Sequence, residues 1–422
     1  MQIYLVGGAV RDTLLGLPVK DRDWVVVGAT PQQLVDQGFI PVGKDFPVFL
    51  HPRSHEQYAL ARTERKTAPG YRGFAIHSAP DVTLEQDLAR RDLTINAMAV
   101  AAASVASDGS FDPACATLLD PHHGRRDLQH RLLRHVGDAF REDPVRILRV
   151  ARFAARFADF GVAPETMLLM RAMVADGEVA ALVAERVWQE LASGLMEAAP
   201  ARMLSVLRAC GALGRLLPEI DALWPQAEGQ DAQAPHVPTP GARSPGDHLD
   251  QVLALAVGLQ APLPVRFAGL CLPLATPAAG PDTERKHTLT RLCQRLRVPT
   301  ECRELAEATA REHAAISASG ALDALALVRL LERCDAFRKP ERFAQMLLVC
   351  ECDTRAGSAA ALNAQNALYA PKERLLAALA AAQTVATDLV AERAQAAGAR
   401  GPEIGDTVRA ARAAAIAALR QR

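Results

Sequence analysis

The sequence predicts an α+β chain in which strands and helices alternate first and helices alone follow. Three observations carry this. Up to about residue 138, short β-branched runs (QIYLVGG, DWVVVG, PVFLHP, EQYALAR) alternate with helical stretches such as PQQLVDQ and LEQDLARRDLTINAMAV. From 139 to about 225, Ala-, Leu- and Arg-rich segments repeat with helical period. The stretch from 226 to 247, rich in Pro, Gly, Ala and Gln and poor in apolar bulk, then reads as a flexible linker. Helices resume over 248–365, and an Ala/Arg-rich helical tail covers 366–422. With half of its 422 residues apolar, the chain can bury the cores of roughly two to four domains.

Several classes are disfavoured at once. No apolar run reaches the ~20 residues that cross a bilayer, and the N-terminus enters a strand without a basic leader, so a cytoplasmic protein with no membrane partner is expected. Eight cysteines without CxxC pairs predict packed thiols, not disulfides or a zinc site, and Cys350 with Cys352 reads as incidental. The 48 basic and 48 acidic residues cancel, so global charge argues for no polyanion. Local charge does: from Arg125 to Arg156 nine arginines face four acids. Within it, EDPVRILRVARFAARF sets Asp143 as N-cap, Pro144 at the first helical position, and Arg146, Arg149, Arg152 and Arg156 on one face. On the residues alone, that face is either a binding surface or simply solvated.

The stretch LVGGAVRDTLLGLPVKDRDWVVVG, residues 5–28, is the most informative. Gly7 and Gly8 fall between a strand and a helix, where bare backbone N–H groups can approach an anion. Asp21 and Asp23 have strand spacing, so both carboxylates share a face and can hold magnesium ions together with substrate phosphates. Metals so held would activate a hydroxyl and stabilise a pyrophosphate leaving group. A lone DxD is usually a turn; two glycines and Arg11 upstream favour the metal reading.

GGAVRDTLLG with DRDWVVVG, then ARTERK, RRDLTINAMA, EDPVRILRVARFAARF and ERVWQE, resemble in that order the successive motifs of class II tRNA nucleotidyltransferases, the bacterial CCA-adding enzymes. The resemblance spans residues 1 to about 220. It implies a polymerase-beta-like nucleotidyltransferase head (1–138), a helical neck and body (139–225), and addition of C, C and A to tRNA 3′ ends from CTP and ATP without a nucleic acid template. By motif, Asp21 and Asp23 would hold Mg2+, and Gly8 and Arg11 would contact the nucleotide, with Gly7 in support. Arg91 would meet the triphosphate or ribose, against the alternative that it simply pairs with Asp87 or Asp92. Asp143, Arg146 and Arg149 would also contact the nucleotide, and Glu185 with Arg186 would form a supporting salt bridge. Asn96 would brace the fold. Arg62, Arg65 and Lys66 lie where the family has a flexible loop, although an ordinary basic loop fits equally well. Partial enzymes adding only CC or only A, poly(A) polymerases and a non-catalytic RNA-binding relative are the alternatives; the last predicts decay of the metal carboxylates, which are intact.

Base choice follows from base edges. Cytosine and adenine present an amino donor beside a ring-nitrogen acceptor, whereas uracil and guanine present the reverse. An aspartate and an arginine three residues apart at a helix start, Asp143 and Arg146, can face one pocket and complement the first pattern; the alternative is that Asp143 only caps the helix.

Two departures stand out. Where related heads often carry a third carboxylate, this chain has Gln57, with Glu56 pointing to the other face. In the second half, DHLDQVLALAVGLQAPLPVRFAGLC resembles the scaffold of an HD phosphohydrolase domain, with His248 as its first histidine. Where the His-Asp pair should follow Cys271, however, stand Leu272 and Pro273, which offer no metal-binding lone pair. A degenerate HD-like domain (248–365) without hydrolase activity is expected.

Overall fold

The runs QIYLV and DWVVV are the central strands of a seven-stranded mixed sheet. In chain order the strands are β1 (Gln2–Val6), β2 (Asp23–Val27), β3 (Ile40–Pro41), β4 (Val48–Leu50), β5 (Gln57–Leu60), β6 (Thr63–Lys66), β7 (Phe74–His77), β8 (Ala99–Ala101) and β9 (Leu118–Leu119). The sheet order is β3-β4-β5-β2-β1-β8-β9, with β2 and β5 parallel, while β6 and β7 form a separate antiparallel hairpin. Val6 on β1 and Gln57 on β5 lie on either side of Asp23. Strand alternation sends Val6, Val25, Ala97 and Ala99 into one core with Val82, Leu84 and Leu88.

Short helices connect these strands: α1 (Gly8–Leu14), α2 (Pro31–Asp36), α3 (Leu84–Ala89) and α4 (Gly124–Gln129). α2 and α3 each begin in a capping box, Thr30 with Gln33 and Thr83 with Gln86. Gly124 opens α4 because a Cβ there would lie 2.2 Å from the Thr94 carbonyl oxygen. After a small parallel pair, β10 (Leu132–Leu133) with β11 (Gly161–Val162), the chain is helical. The helices are α5 (Val145–Arg156), α6 (Pro164–Ala175), α7 (Ala184–Leu195), α8 (Pro200–Ala209), α9 (Ala212–Leu216) and α10 (Pro218–Asp221). α5 is amphipathic: Ile147, Leu148, Val150, Ala151, Ala154 and Ala155 are buried on one side, and the arginines occupy the other. It starts at Val145, one residue later than the capping pattern predicts, yet Asp143 Oδ1 still accepts the Val145 N–H at 3.1 Å.

This computed structural model describes residues 1–42, 48–66, 74–106, 109–225, 244–275, 282–357 and 369–419. They fall into two units, Met1–Gly194 with Arg202–Leu216, and Leu195–Ala201 with Leu217–Arg422. Most of the expected linker, residues 226–243, lies outside the described residues. Its last four residues do not belong to a linker: Ser244 caps α11 (Pro245–Gly258) in a capping box with Asp247. The second unit continues through α12 (Leu263–Cys271), α13 (Asp282–Arg295), α14 (Thr300–Ser317), α15 (Ala324–Arg333) and α16 (Pro340–Ala356), then helices Ala370–Gln383, Thr387–Ala396 and Pro402–Ala418. No single described helix is long and apolar enough to cross a membrane.

Candidate active site

One cavity of about 650 Å³ in the first unit gathers nearly every residue singled out above. Asp21 and Asp23 line it together, but not by strand alternation as expected: Asp23 is the first residue of β2, and Asp21 lies in the loop just before it. Crowding by surrounding protein raises the Asp23 carboxyl above its ordinary value; the nearby Arg91 charge opposes this and the Asp21 charge adds to it. Two like-charged carboxylates facing a cavity, one of them held against ionisation, are a hard oxygen donor set that a divalent cation relieves. No third carboxylate completes it among the described residues. Gln57 stands beside Asp23, and Glu56 is turned to the opposite face, where it accepts from Arg22 Nη1 at 3.2 Å and Trp24 Nε1 at 3.1 Å.

The glycine pair has a specific steric reason. Gly7 has φ +70°, and a Cβ on it would lie 2.9 Å from Arg91 Nη1, so the bare backbone makes room for that guanidinium. Arg91 Nη2 lies 3.2 Å from Asp87 Oδ2, and its Nε is buried without a hydrogen-bond partner. Arg91 thus lines the cavity and pairs with Asp87 as well. Arg90 donates to Asp87 Oδ1 at 2.7 Å and to the Arg62 carbonyl at 3.1 Å. Burial works to raise the Asp87 carboxyl, but the charges of Arg91 and Arg90 outweigh it and hold the group below the usual range.

Arg11 lines the cavity as well. Its side chain is buried in the cavity wall, with Nε on Asp12 Oδ1 at 2.8 Å and Nη1 on Asn96 Oδ1 at 2.5 Å. The rings of Phe153 and Phe157 each lie 5.2 Å from its guanidinium carbon. These contacts make Arg11 a brace of the wall it lines. Asn96, expected as a brace, is one: it accepts from Arg11 and donates to Asp92 Oδ1 at 3.1 Å.

The arginine face of α5 is more than a solvated surface: all four residues line the cavity and each has a partner within the protein. Arg146 donates to the carbonyls of Ala139 at 2.6 Å and Arg90 at 2.7 Å. Arg149 meets Asp92, Arg152 meets Glu190 and Arg156 meets Asp12, at 2.7, 2.6 and 2.7 Å. Asp143 and Arg146 both line the cavity, as their three-residue spacing at a helix start allows. The guanidinium bound to Asp143 belongs to Arg186, which donates Nη1 to Oδ1 at 3.0 Å and Nη2 to Oδ2 at 2.7 Å. Arg186 thus supports the pocket through Asp143, while Glu185 is exposed at the start of α7 and does not line the cavity. Gly8 lines the cavity beside Gly7.

Lining residues that sequence reasoning did not assign include Asp12, Lys20 and Asp92. Asp12 and Asp92 could have been found from their place directly after Arg11 and Arg91 in the two motifs. In all, nine arginines and one lysine face five aspartates, a surplus of five positive charges suited to a polyphosphate. Of the basic segment ARTERK, Arg62 lines the cavity; the side chains of Arg65 and Lys66 and residues 67–73 lie outside the described set.

In the second unit, Leu272 is buried apolar core, and it opens a short 3-10 turn, Leu272–Ala275. His248 on α11 bonds Asp353 Oδ1 at 2.8 Å, and His313 on α14 lies 3.0 Å from Asp353 Oδ2. Asp353, on α16, is depressed below the carboxylate range in spite of its burial by these two imidazoles.

Comparison with known proteins agrees with this geometry. Residues 3–134 match the family described as Poly A polymerase head domain, and residues 159–223 match the one described as probable RNA and SrmB-binding site of polymerase A. The multifunctional CCA protein of Variovorax paradoxus (strain S110) is 59% identical over 432 residues, covering 99% of this chain and 100% of that protein. That of Cupriavidus necator is 56% identical over 427 residues, covering 99% of each. Among solved structures, the Bacillus stearothermophilus CCA-adding enzyme in complex with CTP superposes with a TM-score of 0.63 at 22% identity, over 99% of this chain and 89% of that one. A CCA-adding enzyme with ATP gives 0.56 at 21%, over 90% and 84%. The fold is thus a polymerase-beta-like nucleotidyltransferase head followed by a mostly helical body. With relatives 55–59% identical over nearly its whole length, the chain belongs to the family of multifunctional CCA proteins.

Proposed function

We propose that this chain completes tRNA 3′ ends, adding C, C and A from CTP and ATP without a nucleic acid template and releasing pyrophosphate. The observation that carries this is that one arginine-rich cavity holds both the Asp21/Asp23 pair and the Asp143 carboxylate at the head of α5. Chemistry and base reading therefore share one chamber, and no second nucleic acid strand is needed to choose the base.

In this reading Asp21 and Asp23 hold divalent cations, and Mg2+ is the ion that hard carboxylates and a triphosphate select. Such ions, when bound, activate the 3′-hydroxyl of the tRNA and neutralise charge on the departing pyrophosphate. Arg91 and the basic face of α5 supply the field that draws the triphosphate in and orients it. Asp143 accepts from the exocyclic amino group shared by cytosine and adenine, and Arg146 completes the edge; a uracil or guanine would leave these groups unpaired. Residues 1–138 then act as catalytic head and 139–225 as neck and body toward the tRNA. The helical domain over 248–365 and the tail beyond it carry no hydrolase chemistry. The setting is the cytoplasm, where no membrane is involved.

The test is direct. Purified protein incubated with tRNA lacking its terminal residues, CTP, ATP and Mg2+ should give products ending in CCA on sequencing. Products ending in CC alone, or in long A tracts, would overturn the reading.

A further inference from the structure

A carboxylate has about four acceptor directions, two on each oxygen. On Asp143, three are taken. Arg186 occupies one on each oxygen through its fork, at 3.0 and 2.7 Å, and the Val145 N–H takes the second on Oδ1 at 3.1 Å. The remaining direction belongs to Oδ2. Arg146, three residues along, does not hold this carboxylate; its two terminal nitrogens are on the carbonyls of Ala139 and Arg90.

We infer that Arg186 is a positioning residue for base selection: it leaves Asp143 a single acceptor direction, on Oδ2, held fixed toward the amino donor that cytosine and adenine present beside a ring-nitrogen acceptor. This rests on the function proposed above and adds to it where the selectivity comes from. Without the fork, Asp143 keeps one backbone contact, and its terminal torsion, which is broad for aspartate, is free to turn. A turned carboxylate can accept the ring N–H of uracil as readily as the amino group of cytosine. Discrimination should therefore fall while the metal end of the cavity is undisturbed. Lysine cannot substitute fully, because a single ammonium lacks the two-pronged fork.

The experiment is single-nucleotide incorporation with CTP, ATP and UTP on tRNA lacking its terminal residues, comparing wild type, Arg186→Gln, Arg186→Lys, Asp143→Ala and the Arg186→Gln/Asp143→Ala double variant. The CTP-over-UTP ratio of kcat/KM should fall about tenfold or more in Arg186→Gln. It should fall less in Arg186→Lys, and no further in the double variant than in Asp143→Ala alone. Arg186→Lys keeps charge and length, so it carries the test should the glutamine variant fail to fold. An unchanged ratio in the Arg186 variants, an equal loss with all nucleotides, or additive losses in the double variant would overturn the inference. A wild-type protein that adds neither C nor A would instead overturn the function on which it rests.

Discussion

Asp92 Oδ2 accepts Arg149 Nε at 2.7 Å, while its Oδ1 accepts Asn96 Nδ2 at 3.1 Å and the Leu93 N–H at 2.9 Å. Burial would raise this carboxyl, but the Arg149 charge and these hydrogen bonds bring it down to about 2. One aspartate thereby ties α5 to the motif that carries Arg91.

The first prediction follows from that pair. A carboxylate depressed in the fold contributes stability that is complete above its unfolded value near 4, and loses it as pH falls toward about 2. Asp92→Asn should cost about 2–3 kcal/mol at pH 7, and the gap to wild type in urea unfolding should close between about pH 4 and 2. A gap that does not change with pH would contradict the electrostatic origin.

At the metal end, the sign is opposite. Asp23 is raised in the fold, so its ionised form is disfavoured there and costs stability at neutral pH. Asp23→Asn should raise the melting temperature of the protein free of ligands and yet lower addition of both C and A by about a thousandfold or more. Asp21→Ala should likewise abolish both additions, with tRNA retention on a filter unchanged. Loss of one addition only would contradict a shared site.

Gly7→Ala tests the packing of the phosphate end. It forces a side chain onto φ +70° and places a carbon 2.9 Å from Arg91 Nη1. The strain is about 1–2 kcal/mol, and Arg91 must move. We expect kcat/KM for CTP and ATP to fall together by about ten- to a hundredfold, with a modest drop in Tm. Equal activity with a lowered Tm would leave Arg91 out of the reaction.

The elements that contain their own partners were readable from the sequence. The α5 arginines share a face because helices turn every 3.6 residues, and the closeness of Asp21 to Asp23 follows from their spacing although only Asp23 belongs to β2. The partners of those groups were not readable, because tertiary folding alone brings them together. Arg186 lies 43 residues from Asp143, and Arg156 lies 144 from Asp12. Arg146, by contrast, is near Asp143 in sequence, and that nearness does place both on one cavity, although the carbonyls that hold Arg146, those of Ala139 and Arg90, were not readable. The rings that flank Arg11 were not readable either: Phe153 on α5 and Phe157, the residue that follows that helix, lie more than a hundred residues on.

The last prediction concerns the second unit. Hydrolysis by an HD-type site needs several side chains converging on a metal, and after Cys271 this chain offers Leu272 and Pro273, which have no donor atoms. His248 and Asp353 remain, but they are committed to each other and to His313, one carboxylate oxygen to each imidazole. That arrangement joins three helices, α11, α14 and α16, so its role is cohesion. The depressed Asp353 carboxyl contributes stability above its unfolded value near 4 and loses it in acid. Asp353→Asn should therefore lower the melting temperature at pH 7 and approach wild type as pH falls below about 4, while CCA addition at a permissive temperature stays near wild type. With nickel or magnesium added, wild-type protein should hydrolyse 2′,3′-cyclic AMP no faster than a buffer blank. Metal-stimulated hydrolysis that Asp353→Asn abolishes would mean that His248, His313 and Asp353 part to receive a metal, and would replace cohesion with catalysis at this cluster.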